Sequence, residues 1–247
     1  MDRKYTEIAD RWWARDFACN PTDLRPDATR VQTHAGRMLG ANGIWILSVG
    51  AHPLVSVPSP FLRSLEPRAR EWTKDLVNEP TALAAELRGL PVDRIVGPAF
   101  IGYGTRESLG ASLSPADAAT PVTRDHDAAV DGLREACTEE EWSHGGTDHR
   151  TAPAFGRVDN TGELTALAGY ATWNDEIAHI AVVAAPDRRG AGHATAAVAA
   201  AARHAIDAGL LPQYRTLVAN EPSMAIARRL GFERYGSSVF VRLRIGE

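Results

Sequence analysis

Apolar residues recur along this chain of 247 residues in two rhythms, one near 3.6 and one of short continuous or alternating runs. Tyr5, Ile8, Trp12 and Trp13 fall on one face of a helix over 3–17, with the tryptophans expected in its core contact. Gly43–Gly50 and Leu54–Val57 are short apolar runs bounded by Gly and Pro, and read as strands. Phe61–Lys74 and Thr81–Arg88 read as helices, and Arg94–Tyr103 as a strand interrupted at Gly97-Pro98. Residues 105–121 are small and polar, which marks a linker.

Beyond it the pattern becomes denser. Val122-Thr123-Arg124 reads as a strand, Asp125–Cys137 as a helix and Glu139–His144 as a short second helix. Ala154–Val158 and Leu164–Trp173 form a hairpin about Asn160-Thr161-Gly162. A β-branched run, Ile180 with Val182 and Val183, stops at Pro186, and an alanine-rich helix is expected over 194–208. Arg215–Ala219 reads as a short strand, and Pro222 opens a helix closed by Gly231. Phe232–Ile245 reads as a closing strand pair around Gly236. The class is α/β (α+β), in two parts: residues 1–114 form an N-terminal α/β domain and residues 115–247 a second domain.

Composition narrows the functions. Hydrophobic content of 44% and a net charge of −4 describe an ordinary globular chain without the basic face of a nucleic-acid binder. Cys19 and Cys137 give no disulfide framework, and both are expected as buried thiols. No apolar run nears the ~20 residues that span a bilayer, and the charged start lacks a signal peptide's apolar region. A cytoplasmic protein without a membrane partner is the expectation. His144, Asp148 and His149 match no usual zinc spacing, so no metal site is expected, and Gly145-Gly146 suggests a flexible loop there.

The chemistry concentrates in HIAVVAAPDRRGAGHA, residues 179–194, where strand, glycine turn and helix follow one another. That order aims free backbone N–H groups and a positive helix end at a phosphate. Arg188 and Arg189 oppose the helix dipole unless an anion is present, which favours a phosphate over a merely solvated pair. The spacing Arg189-x-x-Gly192-x-Ala194 resembles the acyl-CoA pyrophosphate motif, Q/R-x-x-G-x-G/A, of the GNAT superfamily of N-acetyltransferases. Residues 215–232, RTLVANEPSMAIARRLGF, are similar to that family's next strand, its asparagine and its following helix.

The resemblance, confined to the C-terminal half, implies a mixed, mostly antiparallel sheet flanked by helices, with acetyl-CoA as co-substrate. It implies an acetyl group moved to a primary amine by direct attack. A small-molecule acceptor is the default; a protein amine, or a non-catalytic acyl-CoA sensor, is the alternative. Backbone groups of Val182 and Ala184 would hold the thioester. Arg188, Arg189, Gly190, Gly192, His193 and Ala194 would hold the pyrophosphate, the glycines being small so that it can come close. Asn220 and Ser223 would touch the cofactor, Asn220 also serving as a helix cap. The family's usual base position is Ala178, which leaves Glu176, two residues earlier on the same strand face, as the candidate catalytic base, with a plain surface carboxylate as its rival. The family's tyrosine position holds Ala227, so Ser223, Tyr235 or solvent would return the proton. His179 points to the opposite face unless a bulge intervenes, and reads as a core histidine. The N-terminal part would shape the acceptor site or form a homodimer, and its being a degenerate GNAT-like copy stays open.

Overall fold

The computed structural model describes residues 1–109, 118–159 and 161–244. The middle of the expected linker and Asn160 of the expected turn lie outside these residues. The helices are α1 (Arg3–Asp16), α2 (Leu62–Ala69), α3 (Lys74–Val77), α4 (Pro80–Glu86), α5 (Arg106–Leu109), α6 (Asp127–Ala136), α7 (Glu139–Gly145), α8 (His193–Asp207) and α9 (Glu221–Leu230). The strands are β1 (Arg30–Thr33), β2 (Gly43–Ser48), β3 (Leu54–Val57), β4 (Val92–Tyr103), β5 (Thr120–Pro121), β6 (Ala154–Val158), β7 (Leu164–Trp173), β8 (Ile177–Ala184), β9 (Leu211–Leu217) and β10 (Glu233–Leu243).

Two compact units divide the chain, and each is discontinuous. The first holds Met1–Ile101, Thr216–Asn220 and the chain from Arg234 on; the second holds Gly102–Arg215 and Glu221–Glu233. In the first, the strands lie in the order β1-β3-β2-β10-β4. Alternation sends Ile44 and Ile46 of β2, Val55 and Val57 of β3, and Val239 and Val241 of β10 into one core with Leu65, Trp72 and Leu83. Trp12 and Trp13 are both buried and meet edge to face at 4.6 Å. Tyr235, one candidate acid, belongs to this unit, where its hydroxyl donates to Asp10 at 2.6 Å.

The second unit has the order β9-β8-β7-β6-β5, antiparallel except for β8 with β9. Val183 and Leu167 face α6 and α7, packing with Val130, Leu133 and Trp142. The other face carries α8, whose Ala197, Ala201, Ala202 and Ala205 are wholly buried. Alanines let that helix lie close to the sheet, and His204 reaches the Tyr170 hydroxyl at 2.9 Å.

Several expectations change. The strand expected at Val122-Thr123-Arg124 is displaced to β5, Thr120–Pro121, and Arg124 begins a 3₁₀ turn. Strand β4 runs through Gly97-Pro98 without interruption, and Cys19 and Cys137 are only partly buried. Phe232–Ile245 contributes one unbroken strand, β10, rather than a pair; a Cβ at Gly236 would lie 2.7 Å from Ser48 O, so this glycine serves close strand packing and not a turn. Residues 61–74 break into α2 and a loop before α3. Strand β9 begins four residues before Arg215, because Pro212 sits within it without interrupting the ladder.

Candidate active site

Strand β8 keeps register with β7 without a bulge, from Trp173↔Ile177 to Ala166↔Ala184. Its side chains therefore alternate strictly: His179, Ala181 and Val183 to one face, Ala178, Ile180, Val182 and Ala184 to the other. The parallel ladder to β9 is shorter, running from Ile177↔Leu211 to Ile180↔Tyr214. The ladder ends at that row, although β8 itself continues to Ala184. Residues 181–184 of β8 thus lie beyond its ladder with β9.

The turn after β8 is set by two left-handed residues, Gly190 (φ 84) and Gly192 (φ 85). A Cβ at either would meet nothing within 4 Å. Conformation, rather than crowding, demands glycine there, and the space above the turn is open. Gly192 caps α8 without any side-chain acceptor, and the first bond inside the helix is Ala196 N–H to Gly192 O at 3.0 Å. The N–H groups of His193, Ala194 and Thr195 are left to point out of the helix end. His193 Nδ1 is buried and has no hydrogen-bond partner among the described residues. An open cradle of N–H groups at a positive helix end is suited to a diphosphate.

Both arginines of the turn are engaged. Arg188 lies 3.4 Å from Asp159 and 3.7 Å from Glu163 in the turn between β6 and β7, and 3.4 Å from its neighbour Asp187. Arg189 donates to Glu141 at 2.6 Å and to the Ala184 carbonyl at 3.3 Å. At the far end of β8, Asn174 and Asp175 take positive φ to turn the β7–β8 hairpin, and Glu176 follows directly. Glu176 stands four residues before Ile180, about 13 Å along the strand.

Between these ends lies a polar chain that sequence reasoning missed. His179 stacks on Trp173 at 4.1 Å and 13°, and its Nδ1 is 3.1 Å from Gln213 Oε1. Gln213, wholly buried, donates in turn to the Tyr103 hydroxyl at 2.7 Å. Burial and then the charge of Arg215 push the His179 imidazole down to about 4, against a smaller opposing effect of Gln213. The ring is neutral near pH 7, and the contact with Gln213 Oε1 assigns its proton to Nδ1. Tyr214, the last paired residue of β9, places its hydroxyl 2.8 Å from Ser223 Oγ, and burial pushes it up to about 12.

Residues 122–232 match the family described as Acetyltransferase (GNAT) family. This part of the chain is a GNAT domain. The family it matches is one of acetyltransferases. Among solved structures, a GNAT-family acetyltransferase from Colwellia psychrerythraea is 12% identical, with a TM-score of 0.50 over 99% of this chain and 98% of that one. A GNAT-family protein from Novosphingobium aromaticivorans DSM 12444 is 19% identical, with a TM-score of 0.45 over 62% of this chain and 66% of that one. A GCN5-related N-acetyltransferase from Kribbella flavida is 21% identical, with a TM-score of 0.47 over 68% and 64%. The chain thus spans less than two thirds of the second and third of these. No curated protein matches.

Within the GNAT domain, Val182 and Ala184 lie at the end of β8, Arg188, Arg189, Gly190 and Gly192 in the turn after it, and His193 and Ala194 at the start of α8. Asn220 is exposed, its N–H donating to Leu217 O at 2.9 Å, and it belongs to the first unit. Ala178 and Ala227, where the resemblance would set the family's base and acid, are both wholly or almost wholly buried. Gly145 is buried in α7, not in a flexible loop: a Cβ there would lie 2.2 Å from Val182 O. His149 donates from Nε2 to Asp127 at 2.6 Å, and Arg150 donates to the same carboxylate, which holds Asp127 below the usual carboxylate range. Among the described residues no three His, Cys, Asp or Glu side chains converge as metal ligands, and no helix is long and apolar enough to cross a membrane.

Proposed function

We propose that the chain moves an acetyl group from acetyl-CoA to the primary amine of a small molecule. The observation that carries this is the open glycine turn at Gly190 and Gly192, which follows the part of β8 that lies beyond its ladder with β9. A pyrophosphate on the N–H groups of residues 190–195 would direct the pantetheine arm along that part of β8. The edge of β8 at Val182 and Ala184 would then align the thioester. Acetyl-CoA supplies an activated acyl carbon, onto which the amine nitrogen adds as the carbon–sulfur bond breaks. The proton leaves the amine, and one is returned to the sulfur.

Glu176 is the proposed acceptor of the amine's proton. It lies on the same strand face as Val182 and Ala184 but six and eight residues before them, so it would act only through a chain of waters. His179 is too weakly basic to take a proton near pH 7. Burial and the nearby Arg215 charge disfavour an ammonium ion there as they do the His179 imidazolium, which would suit an amine that arrives uncharged.

The second reading is an acyl-CoA sensor, favoured by alanine at both 178 and 227. Turnover separates the two. Free CoA should appear from acetyl-CoA in the presence of a panel of small primary amines. Tight binding with no CoA released by any amine would establish the sensor instead.

A further inference from the structure

We infer that Arg189 is a positioning residue: it clamps the β8–α8 turn to α7 through Glu141 and leaves phosphate to the backbone N–H groups of the turn. The inference rests on the acyl-CoA reading of that turn. The Arg189 side chain folds back over the end of β8, with Nε 3.4 Å and Nη2 3.3 Å from Ala184 O, and Nη2 2.6 Å from Glu141 Oε1. The Cys137 thiol approaches the same carbonyl at 3.9 Å. The end of α6, the first turn of α7 and the last residue of β8 therefore meet at one point.

Glu141 has two tasks, one for each oxygen. Oε2 accepts the Thr138 N–H at 3.0 Å and completes the capping box that starts α7, while Oε1 takes Arg189. At the other end of α7, the Gly145 backbone lies so near Val182 O that no side chain fits. Helix α7 is thus fixed to β8 at both its ends, alongside residues 182–184. Those residues form the edge that would align the thioester, and the turn they lead into would hold the pyrophosphate. Arg189 joins the two through its ion pair with Glu141 and its bonds to the Ala184 carbonyl.

The two roles for Arg189 predict opposite signs. Glu141 is an anion close to a turn assigned to an anion. Were Arg189 a phosphate ligand, Glu141 would compete for it, and Glu141→Gln would tighten binding. With Arg189 as a clamp, Glu141→Gln loosens the turn and weakens binding. Glutamine at this position retains the capping box, so the helix start is preserved.

The test is calorimetric titration of the full chain with coenzyme A. Glu141→Gln should weaken binding about tenfold, the low end for a charge-assisted bond because the pair is partly exposed. Arg189→Ala should lose a similar factor, and the double variant little more. Amide exchange at residues 190–195, measured without coenzyme A, should quicken in Glu141→Gln, a change that a pure phosphate ligand would not produce. Unchanged or tighter binding in Glu141→Gln, unchanged exchange, or a far larger loss in Arg189→Ala overturns the clamp while leaving the acyl-CoA reading in place. An unaltered chain that binds no coenzyme A overturns both.

Discussion

As pH falls from 6.5 towards 4, the unfolded chain takes up a proton at position 179 that the folded chain refuses. The imidazole is buried between Trp173 and Gln213, with Arg215 opposing its charge, so its folded value lies near 4 against 6.5 for an ordinary histidine. The depressed value fixes the sign: the unfolded state binds more protons in this window, and stability drops as pH drops. At 1.36 kcal/mol per pH unit, the contribution is about 3 kcal/mol, fully present above pH 6.5 and lost by about pH 4. His34 of the first unit is also shifted down by burial and titrates in the same direction, so a substitution must isolate position 179. His179→Gln removes the titrating group and leaves His34 in place. Urea unfolding of both proteins, followed by circular dichroism at several pH values from about 7 to about 4.5, gives two stability curves. The unaltered chain should lose roughly 2–3 kcal/mol more than the variant over that range. Parallel curves, within about 0.5 kcal/mol, would refute the buried neutral imidazole.

Gly192→Ala forces a Cβ into a left-handed residue, which should cost about 1–2 kcal/mol of stability by thermal melting. Coenzyme A affinity should drop with it, since the turn that presents the N–H groups relaxes; unchanged affinity would detach this turn from the pyrophosphate. Glu176→Gln should lower kcat by roughly 10²–10⁴ and flatten the acidic limb of the rate profile. A normal profile would return Glu176 to the hairpin surface and leave the proton to solvent.

Local chemistry wrote much of this protein in plain view. The apolar runs at Leu54–Val57, Ala154–Val158 and Leu164–Trp173 coincide with β3, β6 and β7 to the residue, because strand period and bounding turns are properties of neighbouring residues. The strand, glycine turn and helix from Ile180 to Asp207 were legible for the same reason, as was the family they resemble. What the sequence hid depends on partners far along the chain. The strand read at Arg215–Ala219 begins at Leu211, with Pro212 inside it; the Pro212 carbonyl accepts the Gly104 N–H, and its missing donor leaves the parallel register intact. With β9 misplaced, Gln213 could not be seen beside His179, nor the Tyr103 hydroxyl that holds it, 110 residues away. Gly145 and Gly236 read as loop and turn glycines, whereas each is required where another strand's carbonyl comes within reach of a Cβ. Arg189 carried its charge in the sequence, but the direction of its side chain depends on Glu141, which folding brings within 2.6 Å across 48 residues. Periodicity and turn chemistry act over a few residues and are written locally; close approach and ion pairing belong to segments that only the fold brings together.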